Sequence, residues 1–196
     1  MKKPNNWDNV KAAGERVKLP AGGYEAKIIG AKVVKYDSAR GEYERLEIAV
    51  DITAGEYKDY YKTEFDSSTR DDKKWKGVAR FYVPTDDGSE KDEFTKSLLK
   101  SATEAIEDSN SGYHWDWDET KLKGLKVGIL VRDKEYEIDG RHGFAPEIFR
   151  FADIKRIKDG KFTVPKPKMI KGSSADAPAP TAPASVGAPA DDDYPF

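Results

Sequence analysis

Residues 43–52 constrain the fold more than any other stretch. Leu46, Ile48, Val50 and Ile52 alternate there with Tyr43, Arg45, Glu47, Ala49 and Asp51. A period of two marks a strand with one face in a core and the other turned away from it. Such a strand needs a neighbour, and residues 24–36, rich in Ile and Val, supply one across a polar turn at 37–41. The two are expected to form a hairpin. The first strand alternates as Tyr24, Ala26, Ile28 and then slips phase after Gly30, where Ala31 and Val33 continue the apolar set. A bulge at Gly30 accounts for the slip and would help the strand curl.

Upstream, Leu19-Pro20-Ala21-Gly22-Gly23 is turn chemistry that releases the chain into this strand. Residues 1–18 read as an N-terminal arm with Trp7 as its main anchor. Downstream, residues 56–65 carry Tyr57, Tyr60 and Tyr61 and read as a third strand or a passage from strand to loop, and 75–83 as a further short strand. Ser89 is a good helix N-cap, and Glu90, Asp92 and Glu93 place negative charge at the positive end of the dipole. Phe94, Leu98, Leu99, Ala102, Ala105 and Ile106 then recur at helical spacing until Asn110-Ser111-Gly112. Leu125, Val127, Ile129 and Val131 alternate again, and a turn at Asp139-Gly140 leads to a partner strand over 144–157, a second long hairpin. Residues 162–165 read as a final edge segment stopped by Pro165 and Pro167. This order predicts a mainly β domain with one helix between its third and fourth strands. A five-stranded Greek-key barrel and an open sheet with the helix on one face both accommodate it.

From residue 172 the composition changes. The last 25 residues hold seven Ala and five Pro with Ser, Thr and Gly between them, too little apolar surface to offset chain entropy. The organisation is therefore an arm at 1–18, a folded domain at 19–171, a disordered Ala/Pro linker at 172–190 and a tip at 191–196. The tail carries four aspartates and no Lys or Arg, which leaves 34 basic against 32 acidic residues before it. A body at +2 cannot bind a polyanion through its general field, so any such affinity must come from a local groove and from stacking. There is no cysteine, which excludes disulfides, thiolate zinc sites and cysteine nucleophiles. No apolar run approaches a membrane span, and a cytoplasmic, non-membrane protein is expected.

The tip, Asp191-Asp192-Asp193-Tyr194-Pro195-Phe196, sets three carboxylates before an aromatic, a proline and a phenylalanine bearing an α-carboxylate. Acidity keeps a chain soluble, but an exposed Tyr-Pro-Phe does the opposite unless something covers it. The tip resembles the tail of bacterial and phage single-stranded-DNA-binding proteins, which ends Asp-Asp-Asp-Ile-Pro-Phe, with Tyr194 in place of the isoleucine. Leu19-Pro20-Ala21-Gly22-Gly23-Tyr24, Gly124-Leu125-Lys126-Val127-Gly128 and Lys161-Phe162-Thr163-Val164-Pro165-Lys166-Pro167 are similar to stretches of the phage-encoded members. The resemblance implies an OB-fold over about residues 19–168, sequence-nonspecific binding of single-stranded DNA during replication, recombination or repair, and recruitment of partner proteins by residues 191–196. It also implies the host cytoplasm as the location. The family's tetramer does not carry over to a body so different in length, and a homodimer is compatible with it.

Single strands are held by aromatic planes for bases and cations for phosphates along one groove. The candidates are Tyr43 and Arg45 on the outward face of the second strand; Tyr57, Tyr60 and Lys62 after it; Trp75, Lys76, Arg80 and Tyr82; and Arg132, Phe149 and Arg150 in the last hairpin. Phe81, Phe94 and Phe151 are expected in the core, Tyr43 is balanced between platform and core, and Trp75 leans outward. No catalytic residue, cofactor or metal site is expected. Two rival readings remain. A magnesium-dependent nuclease would use Asp66, Asp71 and Asp72 or Asp86, Asp87 and Glu90, although these positions suit ordinary turn and capping roles. A protein-interaction adaptor would bind partners through both body and tail.

Overall fold

The structure is a computed structural model and describes residues 17–39 and 41–170. The anticipated arm through residue 16, the linker and the tip at 191–196 lie outside the described residues. Among the described residues five strands form one antiparallel sheet: β1 (Gly22–Ser38), β2 (Gly41–Ile52), β3 (Val78–Tyr82), β4 (Lys126–Ile138) and β5 (Arg141–Ala152). Their order is β3-β2-β1-β4-β5, so β1 at the centre pairs with both long hairpins. The two edge strands approach each other through Phe81 and Phe151, whose rings sit 5.2 Å apart. Among the described residues no ladder joins β3 to β5.

The alternation of β2 is realised as expected. Leu46, Ile48, Val50 and Ile52 are all buried, together with Ala26, Ile28, Val127, Ile129 and Val131 from the strands beside them. The phase slip of β1 is a bulge: Ile28 pairs with Val50 and Gly30 with Ala49, leaving Ile29 as the extra residue. Even-numbered residues lie on the inner side before it and odd-numbered ones after it, where Ala31 packs on the core and Val33 is 42% exposed, and Lys32, Val34 and Tyr36 turn to the outer side. Backbone crowding requires two glycines in the core: a Cβ at Gly77 would lie 2.6 Å from the Val50 carbonyl and one at Gly128 would lie 2.8 Å from that of Ala152.

Helix α2 (Glu90–Ser109) begins where the sequence places it, with the Ser89 hydroxyl accepting from the Asp92 N–H at 3.1 Å. It packs against β3, β4 and β5 through Leu99, Ala102, Ala105 and Ile106. Phe94 is not in that stripe; it is 41% exposed, one turn or more ahead of Leu99, the first apolar residue of the helix to be buried.

Three local expectations are corrected. Residues 56–65 do not form a strand: a turn at Gly55–Asp59 leads into helix α1 (Tyr60–Ser67). The last strand stops at Ala152, where the Asp153 carboxylate accepts from the Lys155 N–H and starts helix α3 (Ile154–Lys158). The terminal edge contact is one parallel bridge, Lys134 to Lys168, beyond the prolines and not at 162–165. Among the described residues no helix is long and apolar enough to cross a membrane.

Candidate nucleic-acid interface

The outer face of β1, β2 and β3 gathers side chains from three strands into one cluster. Register sets Tyr36 opposite Tyr43 and Arg45 opposite Tyr82. The Tyr36 and Tyr43 rings stack 5.3 Å apart at 13°. Tyr43 meets Tyr82 at 5.5 Å. The Arg45 guanidinium lies 5.2, 5.0 and 4.6 Å from the ring centres of Tyr36, Tyr43 and Tyr82, and its Nη2 donates to the Tyr82 hydroxyl at 2.7 Å. Three rings and a cation carried by two hairpin strands and an edge strand form a platform with Tyr82 45% exposed. Beside it, Glu47 accepts from the Tyr36 hydroxyl at 2.7 Å and from Arg80 Nε at 3.0 Å. Burial alone would raise the Glu47 carboxyl; these donors outweigh it and hold it below its ordinary range.

A second cluster occupies the outer face of β4 and β5. A bulge leaves Phe149 as the extra residue of β5, because Leu130 pairs with Arg150 and Val131 with Ile148. Arg132 lies 4.3 Å and Arg150 4.8 Å from the centre of its ring. Glu147 holds Arg132 through two contacts of 2.9 Å and Lys134 through one of 2.9 Å. Burial would raise its carboxyl, but Lys134 and Arg132 overcome that and keep it low. The two clusters flank one seam. Phe81 and Phe151 touch on the inner side between β3 and β5, and successive residues of a strand point to opposite faces, so Tyr82 and Arg150 stand outward on either side of it.

The remaining sequence candidates are elsewhere. Tyr57 and Tyr60 close the end of the sheet where β1 begins: Tyr57 packs edge-on against Tyr24 at 5.8 Å, and the Tyr60 hydroxyl accepts from the Leu19 N–H at 3.4 Å. Lys62 pairs with Asp66 on α1. Trp75, expected outward, is half-buried, donates from its indole to the Val50 carbonyl at 3.1 Å and packs on Phe65, while Lys76 pairs with Glu64. Of the twelve predicted body residues, the outer band thus gathers Tyr43, Arg45, Arg80, Tyr82, Arg132, Phe149 and Arg150. It adds Tyr36 and Lys134, which sequence reasoning passed over. Tyr36 was findable by carrying the alternation across the bulge; Lys134 carried no signal of its own.

Three of the six acids named for a nuclease have structural partners. Asp66 pairs with Lys62, Asp86 with Lys96, and Asp87 accepts from the Ser89 N–H at 2.8 Å. Among the described residues no three His, Cys, Asp or Glu side chains are grouped as a metal site would require. A groove of about 450 Å³ between α2 and residues 115–117, lined by Leu99, Trp115 and Trp117, contains none of the predicted site residues.

No protein-family model matches the chain, and no curated protein matches it significantly.

Proposed function

We propose that the chain binds single-stranded DNA without sequence preference along the outer band of an OB-fold, and that residues 191–196 recruit partner proteins. The observation that carries this reading is the Tyr36, Tyr43 and Tyr82 platform around Arg45. Aromatic faces interleaved with cations on one side of a small curled sheet are what base stacking and phosphate contact need. The strand order β3-β2-β1-β4-β5, the single long helix between β3 and β4, and the approach of β3 to β5 support the OB-fold. Stacking is worth roughly 1–3 kcal/mol per base, enough for a nearly neutral body to hold a strand.

Titration of labelled oligo-dT and of a matched duplex tests the reading. Single strands bind more tightly, and their affinity falls with salt at a log–log slope of about −0.7 per phosphate contacted. Equal affinity for duplex removes the proposal; no binding to either favours the adaptor, and cleavage with Mg²⁺ favours the nuclease.

The tip acts separately. Pro195 and Phe196 fill a small apolar pocket on a partner while the aspartates meet basic residues at its rim, and the linker turns DNA coating into recruitment by effective concentration. Deleting residues 191–196 leaves affinity for oligo-dT unchanged or slightly raised and abolishes capture of replication and repair proteins in a pull-down. Undiminished capture overturns the assignment.

A further inference from the structure

Residues 155–170 contain six cations, Lys155, Arg156, Lys158, Lys161, Lys166 and Lys168, against one acid, Asp159. No other part of the body is so strongly basic, and none of the last three residues of that set was among the predicted contacts. The chain from Lys161 onward is a strap laid over the sheet. Phe162 sits close to Gly23 at the start of β1, and the strap ends beside the middle of β4, where Lys168 donates to the Asp133 carbonyl at 2.8 Å and its own carbonyl accepts from the Glu135 N–H at 2.9 Å. Pro165 and Pro167 keep it extended, since each fixes its own φ and pushes the residue before it out of the helical region. Pro165, Pro167 and Met169 are half-buried against the body while Lys166 and Lys168 are exposed.

The bridge determines where these lysines stand. Partners in a β-bridge share a face, so Lys168 stands on the same side as Lys134. That side is the outer one, because Lys134 reaches Glu147, which also holds Arg132 beside Phe149. Asp133 and Glu135 face the opposite way and are buried. Among the described residues neither Lys166 nor Lys168 has an acidic partner, whereas Lys134, Lys158 and Lys161 each have one.

We propose that the strap is a phosphate track that extends the single-stranded path beyond Phe149, with Lys166 and Lys168 contacting the backbone of nucleotides that do not stack on the platform. This rests on the single-strand-binding reading above. The geometry gives one continuous line from Arg150 through Phe149, Arg132 and Lys134 to Lys168 and Lys166.

The test compares the full chain with Lys166→Gln/Lys168→Gln, titrating labelled oligo-dT of increasing length across a salt series. Both side chains are exposed, so an unchanged Tm is the check on folding. The expected result is a salt slope less negative by about 1.4, two contacts at about 0.7 each, together with saturation of affinity at a shorter oligonucleotide. If the variant has the native slope and length dependence while the native chain binds oligo-dT, the strap is not part of the path and the platform reading stands. If the variant binds more tightly than the native chain, the strap seats the acidic residues 191–193 in place of DNA, and the proposal is overturned. If the native chain does not bind oligo-dT at all, both readings fall together.

Discussion

Tyr43→Ala weakens binding of oligo-dT by roughly 5- to 150-fold, the effect of losing one stacked base at about 1–3 kcal/mol. The ring is the centre of the platform: it stacks on Tyr36, meets Tyr82 and lies under the Arg45 guanidinium. Removing it takes away a stacking plane and also loosens the two rings that remain. Arg45→Lys gives a smaller loss, because the ammonium keeps its charge but cannot lie flat between three rings while donating to the Tyr82 hydroxyl. Tyr57→Ala is the informative comparator. Its ring packs against Tyr24 and Tyr60 at the other end of β1, so its removal lowers Tm and leaves affinity in place. Oligonucleotide titration and thermal melts of the three variants check this. Native affinity in Tyr43→Ala, or a loss in Tyr57→Ala equal to that in Tyr43→Ala, removes the outer face as the binding surface.

Those two tyrosines show what a sequence reveals about a site. For Tyr43 the alternation of β2 gave the face, since every second residue from Leu46 to Ile52 is apolar. For Tyr57 and Tyr60 no alternation existed, and an aromatic-rich stretch states neither its element nor its face. Helix α1 was hidden because its capping group lies upstream in β2: the Asp51 carboxylate accepts from the N–H groups of Tyr61 and Lys62, while Asp59 at the N-cap position has a positive φ of 58° and makes no side-chain cap. A cap from eight or more residues away leaves no local pattern. Helix α2 was legible because its cap, Ser89, is adjacent.

The cross-strand pairs were equally out of reach. Tyr36 faces Tyr43 and Tyr82 faces Arg45 only once the register is known, and the bulge at Ile29 sets part of that register. The second hairpin hid its own geometry differently. Asp133 and Glu135 continue the inward face of β4 after Val131, so the apolar period breaks where the strand does not. Their burial is matched by partners the sequence could not pair with them: Lys18 with Asp133 at 2.6 Å, and His142 and the Ile170 N–H with Glu135.

Asp51→Ala lowers folding stability by about 2–4 kcal/mol, because the buried carboxylate holds three backbone donors that an alanine leaves without a partner. Oδ1 accepts from Ile52 N and Tyr61 N at 3.0 Å and Oδ2 from Lys62 N at 3.3 Å. By the alternation Asp51 belongs to the outer face, and it is buried only because α1 folds across that end of β2. Without it α1 loses its first-turn anchor, and with α1 goes Tyr61, which is 3% exposed and lies directly against Gly77. Asp51→Asn retains acceptance through one oxygen and costs less. Its pH dependence has a defined sign. Burial lifts the Asp51 carboxyl above its ordinary range against the pull of the three N–H groups, so the folded chain binds that proton more tightly than the unfolded one. The native protein therefore loses stability relative to Asp51→Asn as pH rises from the ordinary carboxylate range through the raised value. Urea unfolding across the acid range gives a gap between native and Asp51→Asn that narrows with rising pH. A gap that widens instead means that the N–H donors, not burial, dominate at Asp51 and that the ionised carboxylate is the form that anchors α1.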